Sequence, residues 1–473
     1  MLNRYAVITA IYFCSLFLSI SCSTNKESYH RNIPDLAIRP YEENPRYWQY
    51  KGDPVMLVGG SVQDNLFQVR DPEAQLDLLA SVGGNYVRNT MSSRDEGDIW
   101  EFEQLENGKY DLGQLNTAYF NRFAHLLEEA YQRDIIVQIE LWDRFDFARE
   151  PWLENPFRPA NNDNYTPAEI GLENEYPEHP GSNNNPFFRS IPEQDHNKKL
   201  LVFQRKRVDK ILDISLRYPN VLYVMDNETS ANADWGAYWA RYIKQKADSV
   251  GVAVYVTEMW DAWNLKDEEH RQTLDHPERY DFADISQNNH NSNDQHWENL
   301  QWARTYVSED PRPLNNVKIY GSRQSPYGSQ RDALERFWRN IIGGAASARF
   351  HRPASGIGLG DTAQVNLSSA AMLFDRYLFF DSLPDTEHSL LRDREEDEAY
   401  LTRRLNGQYA LYFPDGGSVQ LDLRNRNGNY LVQWLDIDQA RWKTETRISG
   451  GQWRTLQSPG DGQWVALVGR ENE

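Results

Sequence analysis

Apolar residues along this chain gather into short runs that alternate with segments of helical period. The runs are residues 55–60, 85–90, 135–143, 221–228, 252–258, 282–287, 317–322 and 346–351. Helical spacing marks residues 72–82, 117–132, 198–217, 235–250, 331–342 and 362–382. Runs rich in Val and Ile between amphipathic helices predict a parallel sheet. A parallel strand is covered on both faces, which is why it reads as a continuous apolar run. Eight such units predict an α/β fold, a (β/α)₈ barrel with its chemistry at the C-terminal strand ends. A hairpin is expected ahead of the first unit, with residues 46–50 and 54–58 flanking Lys51-Gly52-Asp53.

Three connections carry no clear period: residues 145–193, 259–280 and 288–313. The first is rich in Asn and Pro, as in Asn161-Asn162-Asp163-Asn164 and Asn183-Asn184-Asn185-Pro186. Long irregular loops inside a compact domain are commonly functional. These follow the third, fifth and sixth strands, so they are expected to wall a deep site.

From residue 385 the period shortens to two. Alternating segments at 409–413, 419–423, 430–436, 442–448 and 464–468 are separated by Gly and Asn turns. That spacing predicts a small antiparallel β-sandwich. The first 21 residues carry Arg4 and then an apolar stretch over 6–20, the pattern of an export signal. Ser19-Ile20-Ser21-Cys22 resembles a bacterial lipobox, which implies a lipidated Cys22. The expected organisation is therefore a signal peptide over 1–21, a tether over 22–37, a catalytic barrel over 38–384 and a sandwich over 385–473. The expected location is the bacterial cell envelope, membrane-held through the lipid, on the periplasmic or outer surface side.

Charge and composition narrow the partners. The net charge of −20 argues against sequence-independent nucleic-acid binding, because phosphate is repelled. Two cysteines make no disulfide framework. Aromatic residues reach 13%, with 15 Trp. They serve either a large aromatic core or a cleft that stacks on sugar rings. No metal-ligand spacing and no Gly-rich phosphate loop after a strand is found, so no metal or cofactor is expected.

The most informative segment is residues 221–228, an apolar strand that ends in Asn227-Glu228. A carboxylic acid at the mouth of a fourth barrel strand serves as a proton donor where an apolar site raises its pKa. Asn227 there would hold a sugar hydroxyl. The same pair could instead be solvated residues at the start of the next helix. Asn227-Glu228 after strand four resembles the acid/base signature of the large superfamily of retaining glycoside hydrolase barrels, clan A in type. Asn44-Pro45-Arg46-Tyr47, Val58-Gly59-Gly60-Ser61 and Gly83-Gly84-Asn85-Tyr86-Val87-Arg88-Asn89 are similar to that group as well. The tail with Tyr412-Phe413-Pro414-Asp415-Gly416 resembles the module of a bacterial lipoprotein subset labelled collagen-binding, a label that does not state its function. The resemblance implies an oligosaccharide substrate, plant or algal in origin, and Glu228 as general acid/base.

One position departs from that pattern. Ser322 stands where the superfamily places a nucleophilic Glu after strand seven. Retaining hydrolysis uses two carboxyls about 5–5.5 Å apart. Glu140 and Asp143 end the third strand, and Glu258 ends the fifth; Glu258 is the first substitute. Asp143, Trp142, Trp260 and Asn288 are expected to touch substrate with Asn227. A cationic group also gathers at strand ends: Arg88, His290, Tyr320, Arg323 and His351-Arg352. Such a mouth would clamp an anionic sugar through bidentate Arg contacts, with His351 or Tyr320 as base for an elimination. Three readings stay open: a glycoside hydrolase, a lyase or dehydratase acting on uronic-acid sugars, and a surface lipoprotein that binds glycans without turnover.

Overall fold

Eight parallel strands follow one another around a nearly closed barrel. The computed structural model describes residues 36–181, 185–230, 232–322, 327–443 and 445–471. The strands are β1 (Leu57–Gly60), β2 (Tyr86–Thr90), β3 (Ile136–Asp143), β4 (Val221–Asn227), β5 (Val256–Thr257), β6 (Ala283–Asp284), β7 (Leu314–Ile319) and β8 (Ser347–Phe350). Their hydrogen-bonded order is β5-β4-β3-β2-β1-β8-β7-β6. Between the two end strands the Asp281 N–H donates to the Val256 carbonyl at 2.9 Å, which bridges the remaining gap.

A helix follows each strand: α1 (Pro72–Ser81), α2 (Thr117–Gln132), α3 (Lys198–Ser215), α4 (Ala233–Ser249), α5 (Glu268–Leu274), α6 (Asn293–Tyr306), α7 (Gln330–Ile342) and α8 (Asp361–Phe374). Local chemistry sets the starts of several. Asp71 accepts from the Ala74 N–H ahead of Pro72, and Ser329 and Asp332 form a capping box on α7. Among the described residues no helix is long and apolar enough to cross a membrane.

Two of these helices correct the sequence reading. Residues 259–280 and 288–313 are not loops throughout, because they contain α5 and α6. In α6 the buried face carries His296, Asn299, Gln301 and Arg304 beside Trp297 and Leu300, so no apolar stripe marks it. The last barrel helix also stops at Phe374 rather than running to 382.

The N-terminal hairpin closes the bottom of the barrel. Trp48–Tyr50 pairs with Asp53–Val55, and Arg39–Pro40 adds a third strand. Trp48 and Ile38 pack with Leu57, Tyr86, Leu222 and Val317 in one apolar cluster. Trp48 Nε1 donates to Asn315 Oδ1 at 2.9 Å. The site therefore opens at the other end.

The long connection after β3 has a core of its own. Phe147, Phe157, Phe187 and Phe188 pack against Trp142, Trp152 and Trp235. Its Asn side chains satisfy loop carbonyls: Asn155 Nδ2 donates to Asp146 O at 2.9 Å, Asn162 Nδ2 to Pro156 O at 3.0 Å, and Asn185 Nδ2 to Phe147 O at 3.0 Å. The Asn-rich composition thus orders a segment without regular ladders.

Two antiparallel sheets form the C-terminal part. One contains Ser382–Pro384, Tyr400–Arg404, Tyr409–Phe413, Trp464–Arg470, Asn429–Asp436, Arg441–Trp442 and Thr446–Ser449. The other contains Leu391–Arg392, Ser418–Asp422 and Trp453–Gln457. The single strand expected over 442–448 is two short ones, both paired to Asn429–Asp436. Cys22 and the whole export segment lie outside the described residues.

Candidate functional site

A cavity of about 560 Å³ opens at the C-terminal ends of the strands. Glu228 and Asn227 line it from the end of β4, Lys318 and Tyr320 from β7 and just beyond, and His351 from just after β8. Arg88 enters from β2, while Asp64, Asp261 and His290 come from the connections after β1, β5 and β6. Seven of the residues expected from the sequence therefore meet here: Glu228, Asn227, Arg88, His290, Tyr320, His351 and Arg352.

Glu228 sits in strained backbone at φ 57°, a left-handed conformation uncommon for a residue with a side chain. The chain is held there from both sides. The Thr229 N–H donates to Met259 O at 2.7 Å, and the Asp261 N–H donates to Thr229 O at 3.0 Å. The Glu228 carboxylate accepts from Tyr320 OH at 3.0 Å and from the Lys318 ammonium. Lys318 is itself 1% exposed and also donates to Asn227 Oδ1 at 3.2 Å.

Burial alone would push the Glu228 carboxyl up. The Lys318 charge outweighs it, with hydrogen bonds from Lys318 and Tyr320 and the more distant Arg88, and the pKa falls to about 2. Glu228 is an ionised carboxylate at neutral pH. Burial and the Glu228 charge raise Tyr320 well above the ordinary phenol value, so its hydroxyl stays protonated and donates.

The cations at the mouth are already engaged. Arg88 makes a two-pronged contact with Glu140, 2.6 Å on each side, and meets Asp64 at 3.0 Å. Arg94 bridges Asp143 at 2.6 Å and Asp146 at 2.9 Å. Arg352 reaches Asp64 at 3.3 Å and Asp95 at 3.1 Å. Burial pushes His290 and His351 down to about 4, so both rings are neutral at pH 7. The expected clamp for an anion is thus a set of internal ion pairs with two uncharged imidazoles.

Aromatic rings line the same cavity. Trp263 is 56% exposed and stacks on His290, with ring centroids 4.2 Å apart and planes 11° apart. Tyr327 stacks on Tyr320 at 5.1 Å. An open indole face beside a polar cleft suits the apolar C–H face of a sugar ring. The other tryptophans mostly answer the composition question the other way. Trp48, Trp142, Trp152, Trp235, Trp239, Trp260, Trp297 and Trp338 are fully buried, and among the described residues Trp263 is the tryptophan that lines the cavity.

The remaining expected residues lie behind the site or away from it. Glu258 is wholly buried beneath α4, where a Cβ on Gly236 would stand 1.9 Å from its Oε2. It accepts from Thr229 Oγ1 at 2.5 Å, and burial raises it to about 8. Trp142 packs between Phe187 and Trp239, with Arg207 over its ring at 4.4 Å. Trp260 donates its indole N–H to Thr273 at 2.7 Å. Asn288 donates to His296 O and accepts from Asn291 and Asn299. Asp143 supports the site from below by accepting from Asn227 Nδ2 at 3.1 Å. Arg323 lies outside the described residues.

Ser322 lies three residues beyond the end of the seventh strand. That strand ends at Ile319, and the side chain it sends toward Glu228 is Lys318. Lys318, Asp261, Asp64 and Trp263 were not singled out by the sequence, and none stands in a motif.

No family model matches the chain, and no curated protein does. Solved structures do. A glycoside hydrolase family 5 protein from Bacteroides vulgatus aligns over 93% of this chain and 94% of its own, with 12% identity and a TM-score of 0.63. The fold is that of glycoside hydrolase barrels. A second glycoside hydrolase aligns over 93% of this chain and 98% of its own, with 11% identity and a TM-score of 0.62. A noncanonic maltogenic α-amylase from Thermotoga neapolitana aligns over 88% and 99%, with 11% identity and a TM-score of 0.51. The first two alignments extend over the β-rich tail as well as the barrel.

Proposed function

We propose that this chain is a glycoside hydrolase acting on an oligosaccharide, with Glu228 as an essential catalytic carboxylate. One observation carries the reading. An ionised carboxylate, Glu228, stands in strained backbone in a cavity with an exposed indole on its wall. Backbone strain of this kind persists where the surrounding structure fixes it, and it clusters at active sites. The shared barrel with glycoside hydrolases supports the same conclusion.

The pKa of Glu228 shapes the role. A carboxyl ionised down to about pH 2 has no proton to give at neutral pH. It suits attack on, or charge stabilisation of, the sugar carbon that becomes positive as the glycosidic bond breaks. Its free edge is the one not held by Lys318 and Tyr320, since both of those bond Oε1.

The elimination alternative is less well supported. It needs a free cation for a uronate carboxylate, whereas Arg88, Arg94 and Arg352 at the mouth are paired. The test is Glu228→Gln on the full chain, assayed for reducing-end release from a panel of plant and algal oligosaccharides. Turnover is expected to fall by about a hundredfold or more with binding largely kept. Retained turnover removes Glu228 from its role. Ultraviolet absorbance from an unsaturated uronate would establish the lyase instead, and sugar binding with neither signal would establish a binding protein.

A further inference from the structure

We propose that Asp261 is the proton donor of this site, facing the departing sugar while Glu228 serves the anomeric carbon; the assignment rests on the hydrolase reading above. Asp261 lines the same cavity as Glu228. The two are tied through the backbone, because Asp261 N–H donates to the carbonyl of Thr229, the residue that follows Glu228. This pairing of the chain ends after β4 and β5 fixes the backbone that carries both residues.

Asp261 differs from the other acids of the mouth. Glu228, Asp64, Asp143 and Asp146 each meet a cation within 4 Å. Among the described residues the Asp261 carboxyl makes no hydrogen bond and no ion pair. Gly181, from the long connection after β3, comes so near that a Cβ there would lie 2.8 Å from Asp261 Oδ2. The groups acting on it are Glu228, which disfavours a second negative charge, and Lys318 and Arg144, which favour one. Burial and Glu228 prevail and lift its pKa to about 7, so near neutrality one carboxyl is ionised and the other holds a proton.

Trp263 lies two residues further along the same turn, its ring exposed over His290. A sugar stacked there would lie in the same cavity as the Asp261 carboxyl. In the step, the bond from the anomeric carbon to that oxygen breaks, and its electron pair stays on the oxygen. The oxygen takes the Asp261 proton. Water supplies the oxygen that ends on the anomeric carbon; one of its protons remains on the new hydroxyl and the other restores the Asp261 acid. No oxidant, reductant or metal enters the balance.

The experiment compares leaving groups. The full chain and its Asp261→Asn variant are assayed on phenyl and 2,4-dinitrophenyl glycosides of the common hexoses and pentoses. A dinitrophenolate departs without a proton, whereas a phenolate needs one. Asp261→Asn is expected to lose about a hundredfold or more on phenyl glycosides and under about tenfold on dinitrophenyl glycosides. The basic limb of its kcat/KM profile should disappear, and Asp261→Glu should keep that limb. Equal losses on both leaving groups, or an unchanged basic limb, overturn the assignment while leaving Glu228 in place. If the unaltered chain turns over no glycoside and releases no reducing ends from oligosaccharides, the hydrolase reading falls and the donor falls with it.

Discussion

Replacing Lys318 by Met tests the electrostatic centre of the site. The ammonium is buried, and it bonds both Asn227 and Glu228. It is the largest influence that lowers the Glu228 pKa from 4.5 to about 2 against the push of burial. At about 1.4 kcal/mol per pH unit that fall corresponds to about 3 kcal/mol of preference for the ionised form. The sign follows from linkage. A folded pKa below the unfolded one contributes stability that is complete above about pH 4.5 and is lost as the pH falls towards 2. In Lys318→Met burial is opposed only by Tyr320 and Arg88, so the Glu228 pKa is expected to rise. The variant should then be less stable at pH 7 by about 3 kcal/mol, in line with leaving a buried charge unpaired. The gap should narrow as the pH falls from 5 to 3, where the variant protonates Glu228, and close only towards pH 2. Carbon-13 titration of the Glu228 carboxyl, with chemical unfolding at pH 7, 5, 4 and 3, reads both quantities. A stability gap that stays constant over that range, or a Glu228 titration unmoved by the substitution, would refute the reasoning.

Two further outcomes are expected. Trp263→Ala should raise KM by about threefold to tenfold with little change in unfolding midpoint, since the ring is exposed and its stacking contribution is about 0.5–1.5 kcal/mol; a KM equal to that of the unaltered chain would remove the indole from substrate contact. Glu258 has a folded pKa raised by burial to about 8, so it costs stability as the pH rises from 4.5 through 8. Glu258→Gln should remove that decline while the chain keeps its turnover. A collapse of turnover in a folded variant would show that Glu258 acts in the reaction and not behind it.

The sequence carried the barrel because parallel strands are covered on both faces. The run over 221–225 is apolar without interruption, and in Ile136–Asp143 only Gln138, Glu140 and Asp143 break the run. The pattern was silent where buried faces are polar. In α6 the inward side chains hydrogen-bond instead of forming a stripe, as when Gln301 donates to Gly343 O at 3.0 Å. At the site, Glu228 was legible as a carboxyl at the end of an apolar strand. Its ionisation was not, because that depends on Lys318, ninety residues further along the chain. Glu258 looked equivalent at the end of the next strand. It turns out under α4, as Gly236 leaves room for its carboxyl there. Asp261 stands in an irregular turn whose only signal is spatial.

The β-rich tail grips the barrel through its helices. Trp338 of α7 stacks on Tyr412 with centroids 5.9 Å apart, and the fully buried Arg339 reaches Asp397 at 2.8 Å. Ser369 of α8 donates to Ile437 O at 2.8 Å, and Asp294 in the first turn of α6 receives both Arg394 and Tyr400. The two parts are consequently poor cassettes for exchange. A chimera that grafts another tail onto this barrel would strand a guanidinium and an indole in foreign surroundings, and residues α6 through α8 would have to change along with the graft.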